Sequence, residues 1–379
     1  MKFMSHEFVG DEKTALREHS ANPAPEAPPI VRQPLRIGEV SIPSRFFLAP
    51  LAGYTSLAFR LAVRQCGGLG LATTDLVNAR SLIEQRRRAL ELAETCPADR
   101  PLSIQIYGSV IPEMEQAARW VEEQGVPAVD INMGCPVRKV VKTGGGSALM
   151  CEAGRASDLV AAVVNAVKIP VTVKMRLGWD DESLTAPELA RSFEQVGVAG
   201  VIVHGRTREQ GFKGKVNRAG IKAVVEAVER IPIVANGDVT TIAGAAQMFR
   251  ETGCAAISIG RGALANPFIF RQLDSWARTG DPGPDPTFDE RLDLMHDHFH
   301  GLLIRRGDHY ACLQFRKTLK WYSHFVRMPK ACYRRLINFV SPALFDEVLE
   351  EIRVAGPESP LPGHHEFHVP VPAGAIDKW

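Results

Sequence analysis

The segment Pro112–Pro136 reads P-E-M-E-Q-A-A-R-W-V-E-E-Q-G-V-P-A-V-D-I-N-M-G-C-P and holds one repeat of the fold. Its first half has helical period. Its second half is a short apolar run that ends in a glycine, a cysteine and a proline. The same rhythm extends outward in both directions. Apolar runs rich in β-branched residues occur at Phe46–Pro50, Leu69–Asp75, Leu102–Gly108 and Ala128–Cys135, and again at Val171–Leu177, Gly200–Arg206, Ile231–Asp238 and Ala256–Arg261. Stretches with helical period separate them. Strands apolar on both faces that alternate with helices imply a parallel sheet. Eight such units in about 245 residues fit a closed (β/α)8 TIM barrel better than an open sheet. Neither G-x-G-x-x-G nor a Walker A sequence occurs, which argues against the main nucleotide-binding open sheets.

Outside this α/β body the composition changes. Residues 1–34 carry Pro23, Pro25, Pro28, Pro29 and Pro34 without apolar period and read as a flexible extension. The barrel occupies 35–280, and the run G-D-P-G-P-D-P (Gly280–Pro286) reads as a linker. Residues 286–354 hold four helix-like segments and no convincing strand, which predicts a small C-terminal helical bundle, and 355–379 form a proline-rich tail. The 379 residues are 45% hydrophobic and 23% charged, which excludes a disordered chain. A net charge of +2 gives no global field, so any basic surface must come from clustering. No apolar stretch is long enough for a membrane span, and the N-terminus is broken by charge too early for a secretory signal. Seven scattered cysteines form no C-x-x-C pair. The expectation is a cytoplasmic monomer with no membrane partner and no metal.

In a barrel, the C-terminal ends of the strands line the active site. Those ends present Ala49 to Gly53; Gln105; Asp130 to Pro136; Lys174 and Arg176; His204, Gly205 and Arg206; Asn236, Gly237 and Asp238; and Gly260, Arg261 and Gly262. Glycine-rich loops after the seventh and eighth strands let backbone N–H groups approach a phosphate, and Arg261 adds a fork of donors. Cys135 sits at a strand end with Lys139 and Lys142 downstream. Its position allows a nucleophile or a proton donor, since a thiol near its usual pKa of about 8.5 stays mostly protonated. His296, His298 and His300 lie on a charged helix and read as a solvated face.

At these residues the sequence resembles the tRNA-dihydrouridine synthases, most of all their bacterial B-type branch. The carrying motifs are A-P-L-A-G-Y-T (Ala49–Thr55), Q-I-Y-G (Gln105–Gly108), D-I-N-M-G-C-P (Asp130–Pro136), V-K-M-R-L-G-W (Val173–Trp179), V-H-G-R-T-R (Val203–Arg208), A-N-G-D (Ala235–Asp238) and I-G-R (Ile259–Arg261). The resemblance implies an FMN barrel that uses NADPH to reduce a uridine of tRNA. By motif, Pro50, Leu51 and Ala52 would lie against the flavin ring, Gln105 and Lys174 would bond its polar edge, and His204 would sit close by. Asn236, Gly237, Asp238, Gly260 and Arg261 would hold the phosphate. Asn132 and Arg176 would contact the uracil, Lys139 and Arg206 would lie on the substrate side, and Cys135 would be the proton donor. Three features depart from the family pattern: the glycines Gly144–Gly146, the lack of a tryptophan near Asn217, and Thr318 in place of a histidine.

The helical unit points to RNA on its own composition. Between Arg305 and Arg335 there are nine basic residues and one acidic one, Asp308. Arg316, Lys317 and Lys320 lie at helical spacing beside Trp321 and Tyr322 and suit phosphate contact. The alternatives are a flavin barrel acting on a free pyrimidine and an RNA-binding protein without catalysis.

Overall fold

A computed structural model describes residues 24–367 and Val369. Among the described residues there are eleven strands: β1 (Leu35–Ile37), β2 (Val40–Ile42), β3 (Phe46–Leu48), β4 (Leu71–Thr73), β5 (Val77–Asn78), β6 (Leu102–Tyr107), β7 (Ala128–Met133), β8 (Val171–Arg176), β9 (Gly200–His204), β10 (Ile233–Asn236) and β11 (Ala256–Ile259). β3, β4 and β6 to β11 pair in parallel around a closed ring, with β11 returning to β3. This is the eight-stranded barrel, with each strand inside its expected run. The short β5 extends the second strand beyond Asp75 and pairs again with β6.

The strands are less uniform than the sequence reading supposed. In β8, Val171, Val173 and Met175 point outward into the helix layer, while Thr172, Lys174 and Arg176 alternate with them. β7 does the same with Val129, Ile131 and Met133 against Asp130 and Asn132. Only the bottom of the barrel is apolar on its inner side. There the hairpin of β1 and β2 packs Leu35, Ile37 and Ile42 against Phe47, Leu71, Ile202, Val234 and Ala256. The hairpin closes that end and leaves the opposite mouth for polar groups.

The flexible extension expected for 1–34 does not reach residue 34. Trp276 Nε1 donates to Pro25 O at 2.6 Å, and the buried Arg45 donates to the carbonyls of Gln33 and Pro34, so the segment from Ala24 is fastened to the barrel. Residues 1–23 lie outside the described part. The proline-rich tail is fastened likewise up to Phe367. Buried Arg291 donates to Pro362 O at 2.9 Å, and the Phe367 ring packs tilted against Phe325. The remainder of the tail, Val369 excepted, lies outside the described residues.

The C-terminal unit has the four expected helical segments. The first two are one span, Phe288–Phe325, broken where Gly307 takes φ 69°, and Lys330–Leu336 and Pro342–Ala355 follow. Thr287 and Glu290 form a capping box that starts the span right after the linker. The bundle docks on the barrel helix Leu57–Cys66 through Ala58, Ala62 and Cys66. Gly301 permits this approach, since a Cβ there would lie 3.2 Å from Ala58 Cβ. Among the described residues no helix is long and apolar enough to cross a membrane.

Candidate active site at the barrel mouth

Strand register assembles the site. In-register neighbours on adjacent parallel strands face the same side, and the pairs are Gln105 with Asp130, Asn132 with Lys174, Arg176 with His204, and His204 with Asn236. These side chains therefore form a polar layer above the apolar floor. A cavity of about 820 Å³ opens over them. It is lined by all eleven residues assigned to the cofactor (Pro50, Leu51, Ala52, Gln105, Lys174, His204, Asn236, Gly237, Asp238, Gly260 and Arg261) and by Asn132, Cys135, Arg176 and Arg206. Its size lies in the upper part of the ~300–1,000 Å³ range of ligand clefts.

The loops after β10 and β11 form a cradle. Gly237 takes φ +127°, and a Cβ there would come 2.5 Å from Val216 Cγ2. The Asp238 carboxylate accepts from Arg206 Nη2 at 2.6 Å, from Val216 N at 3.1 Å and from Arg261 Nη2 at 3.2 Å. Its oxygens are thus engaged in holding two arginines, and only its backbone is left for an anion. Arg261 Nη1 is buried in this wall with no hydrogen-bond partner. An unpaired buried guanidinium N–H is costly, and a phosphate is the group that would satisfy it. The cradle fits a phosphate group.

Arg206 lines the cavity, but much of its guanidinium is engaged within the protein. Only 1% exposed, it donates to Lys213 O, Gly214 O and Asp238 and lies 3.3 Å from His204 Nε2. It braces the loop after β9. A guanidinium only donates, so His204 Nε2 is the acceptor. Burial and the surrounding cations hold His204 well below its ordinary pKa, so the neutral ring carries its proton on Nδ1.

Lys174 Nζ donates to Asn236 Oδ1 at 3.1 Å, and burial pulls its pKa down to about 8. Arg176, 2% exposed, donates through Nε to Gly134 O and through Nη1 to Thr207 O and Gly211 O, each at 2.8 Å. It thereby ties the cysteine loop to the loop after β9 while facing the cavity. Burial pushes the Cys135 thiol up, which keeps it protonated at neutral pH. The Cys135 carbonyl accepts from Ser147 N and Ser147 Oγ, each at 3.1 Å. The glycine run explains itself here: Gly146 takes φ +59°, and a Cβ on it would lie 2.7 Å from Cys135 O.

Several groups have a role here that the sequence alone does not assign. Asp130 is 1% exposed and bonded to Gln105 and Thr172, although it lies inside a quoted motif. Asp75 accepts from Gly53 N and Leu76 N where the second strand breaks. Phe212 lines the cavity between the guanidinium groups of Arg176 (5.5 Å) and Arg261 (5.6 Å), and no motif marks it. Lys317 and Trp321 bring the bundle to the same cavity, whereas Lys139, Arg316 and Lys320 lie outside it. Lys139, Lys317 and Lys320 are exposed. Arg316 is instead engaged with the carbonyls of Phe339 and Asn338 in the bundle. His298 is buried against Tyr322 rather than solvated. His296, His300 and Asp346 have ligand atoms within 4.8 Å of one another, but none lines the cavity.

A closed parallel barrel with polar strand ends, a phosphate cradle and a protonated thiol defines a cofactor-using barrel enzyme. Solved structures share this fold at low identity. The 6-hydroxypseudooxynicotine amine oxidase of Pseudomonas geniculata N1 aligns at TM-score 0.53 and 14% identity, over 73% of this chain and 55% of that one. A 2-naphthoyl-CoA reductase complex aligns at 0.52 and 13%, over 66% and 52%. The sequence is more specific. Residues 47–352 match the family described as dihydrouridine synthase (Dus), and the chain belongs to that family. Among its relatives, a probable tRNA-dihydrouridine synthase of Rickettsia bellii (strain RML369-C) is 36% identical over 83% of this chain and 97% of its own length. A tRNA-dihydrouridine synthase B of Xanthomonas axonopodis pv. citri is 37% identical over 76% and 86%.

Proposed function

We propose that this protein is an FMN-dependent, NADPH-using tRNA-dihydrouridine synthase that reduces specific uridines of tRNA to 5,6-dihydrouridine in the cytoplasm, acting as a monomer. Uracil gains a hydride at C6 and a proton at C5, the proton coming from Cys135. The observation that carries this reading is a single cavity that holds both the phosphate cradle and a thiol kept protonated by burial.

When bound, the flavin supplies the hydride chemistry, with NADPH as its reductant. The chain's own residues do the rest. Gly237, Gly260 and Arg261 would hold the phosphate, with Asp238 bracing the arginine and Asn236 at the edge of the cradle. Pro50, Leu51 and Ala52 offer an apolar face to the ring system, and Gln105 and Lys174 offer donors to its polar edge. His204, neutral and buried, fills the wall beside them. Arg176 and Asn132 face the same cavity and can bond the uracil carbonyls, where negative charge develops as C6 is attacked. Cys135 Sγ then delivers its proton to C5, a general-acid role that suits a thiol not yet ionised.

The uridine has to leave its stack to enter the cavity, at a cost of a few kcal/mol that is smaller in a tRNA loop than in a helix. Lys317 at the rim, exposed Lys320 on the same bundle helix and Lys139 beside the cysteine loop are placed to meet phosphates. The test is direct. Protein freed of tRNA should release FMN on denaturation and form dihydrouridine from NADPH and unmodified tRNA, but not from free uridine. Recovery of FAD alone, or turnover of free uridine at the rate seen with tRNA, would defeat the reading.

A further inference from the structure

We propose that Asp130 is a positioning residue that sets the direction of a hydrogen-bond relay ending on the backbone of Cys135; the proposal rests on the reading of Cys135 as the proton donor. The relay has four links. The Asp130 carboxylate accepts from Gln105 Nε2 at 2.6 Å, and Gln105 Oε1 accepts from Asn132 Nδ2 at 2.7 Å. Asn132 Oδ1 then accepts from Cys135 N at 3.0 Å and Gly134 N at 3.3 Å. All three side chains are buried.

Each amide in this chain could be turned end for end, and the two ends forbid it. Backbone N–H groups only donate, so Asn132 must present its oxygen to the loop and its NH2 to Gln105. Gln105 must then present its own NH2 to residue 130, which has to accept. An ionised carboxylate can do nothing else. Thr172 Oγ donates to the second carboxylate oxygen at 2.6 Å, so both oxygens of Asp130 are acceptors and the direction is unambiguous. Burial pushes the Asp130 carboxyl up to about 6, opposed by the bonds from Thr172 and Gln105 and by Lys174, the charged group that faces it, so it remains ionised at neutral pH. The arrangement fixes the loop that carries the thiol from below, while Ser147 fixes it from the side.

The relay makes a prediction that a merely structural role does not. In Thr172→Val, Asp130 still accepts from Gln105. In Asp130→Asn, the new amide can keep its oxygen toward Gln105 if the Thr172 hydroxyl turns to accept its NH2. In the double variant that buried NH2 has no acceptor, so the amide is driven to turn away from Gln105 and the relay loses the acceptor at its end. Amide hydrogen exchange of Gly134 and Cys135 should therefore be read in the protein as purified for the parent, both single variants and the double one. The expected result is a change of a few fold at most in each single variant and a rise of about tenfold or more in the double one. Val203 on β9 serves as the control and should stay slow. Additive effects, no effect in the double variant, or equal acceleration at Val203 would each overturn the proposal. Dihydrouridine formation by the parent protein tests the functional reading separately, so the two can fail independently.

Discussion

At the barrel mouth, Lys174, Arg176 and His204 line one cavity above the buried Asp130, whereas the centre of the C-terminal bundle is made of aromatic rings. Phe299 lies 4.2 Å from Phe345, 5.1 Å from Phe315 and 5.3 Å from Phe339, centroid to centroid. Burial pushes Asp130 up to about 6 and pulls Lys174 down to about 8, each toward its neutral form. Groups displaced in this way oppose folding at neutral pH, because the unfolded chain hydrates their charges. The bundle buries one guanidinium, Arg291, and keeps its ion pairs outside, where Arg353 pairs with Asp289 and Asp293, and Arg335 with Glu347. The two regions divide the work: the mouth holds chemistry at a cost in stability, and the apolar layers around it and the bundle supply that stability.

The sharpest break of this division comes from the mouth. Cys135→Ala removes a few atoms from a loop whose bonds are all to backbone, so folding and flavin content should hardly change. Reoxidation of the reduced protein by tRNA should slow by about 10²–10⁴, the range for a positioned general acid. Stopped-flow absorbance separates this step from reduction by NADPH. A parallel fall in both steps would make Cys135 a structural residue and move the proton donor elsewhere.

The bundle should answer in the opposite way. Phe345→Ala empties a ring-lined site and should cost about 3–5 kcal/mol in denaturant unfolding. The flavin absorbance of the surviving folded protein should keep its shape, since the barrel mouth is built on strand ends and Phe345 lies on a bundle helix. A changed flavin spectrum at low denaturant would show that the bundle holds the site in shape, and the division would fail.

Lys174 tests the cost of the mouth itself. Its folded-state pKa of about 8 lies below the ordinary value of 10.5. Below pH 8 the ammonium is charged in both states and the burial cost is present in full. Between pH 8 and 10.5 the unfolded chain binds more protons than the folded one, so this group makes stability rise with pH. From pH 7.5 to 9.5 the contribution is about 2 kcal/mol. Lys174→Met should remove it. Unfolding of the cofactor-free protein at the two pH values, parent against variant, reads the difference. The variant should gain stability relative to the parent at pH 7.5 and lose catalysis, and equal pH dependence in both proteins would place Lys174 in a more hydrated setting.

The two regions also differed in how much the sequence disclosed. Strand ends were legible because a barrel forces them to one rim, so Asn132, Lys174, His204 and Arg261 could be placed together before any coordinates. The inward alternation of Thr172, Lys174 and Arg176 was in the letters too, but the apolar partners hid it within runs that look continuous. Phe212 was not legible, since its place between Arg176 and Arg261 depends on how a loop folds back over the mouth. In the bundle, net charge misled in detail. Arg305 and Arg306 pair with Glu94 and Glu91 of the barrel, Arg335 pairs with Glu347, and Arg316 is bonded to carbonyls. Composition counts charges without showing which of them have intramolecular partners.

That distinction yields the smallest effect and the finest test of the bundle as an RNA platform. Lys317 and Lys320 are exposed one turn apart, and Lys317 reaches the cavity rim. Arg316, next to Lys317, has its guanidinium directed to Phe339 O and Asn338 O. Each lost phosphate contact flattens the slope of log K against log salt by about 0.7–0.9, so Lys317→Ala with Lys320→Ala should reduce the slope by roughly 1.5. Stability should stay within about 0.5 kcal/mol, because surface lysines of this kind contribute little. Arg316→Ala should do the reverse, costing about 1 kcal/mol of unfolding free energy through its lost carbonyl bonds and leaving the salt slope unchanged. Binding of unmodified tRNA at several salt concentrations, beside urea unfolding of the same proteins, gives both readings. A slope change with Arg316→Ala would show that this guanidinium leaves its carbonyls for a phosphate when tRNA arrives. Unchanged slopes in the lysine variant would move the RNA contact off this helix, toward Lys139 and the cysteine loop.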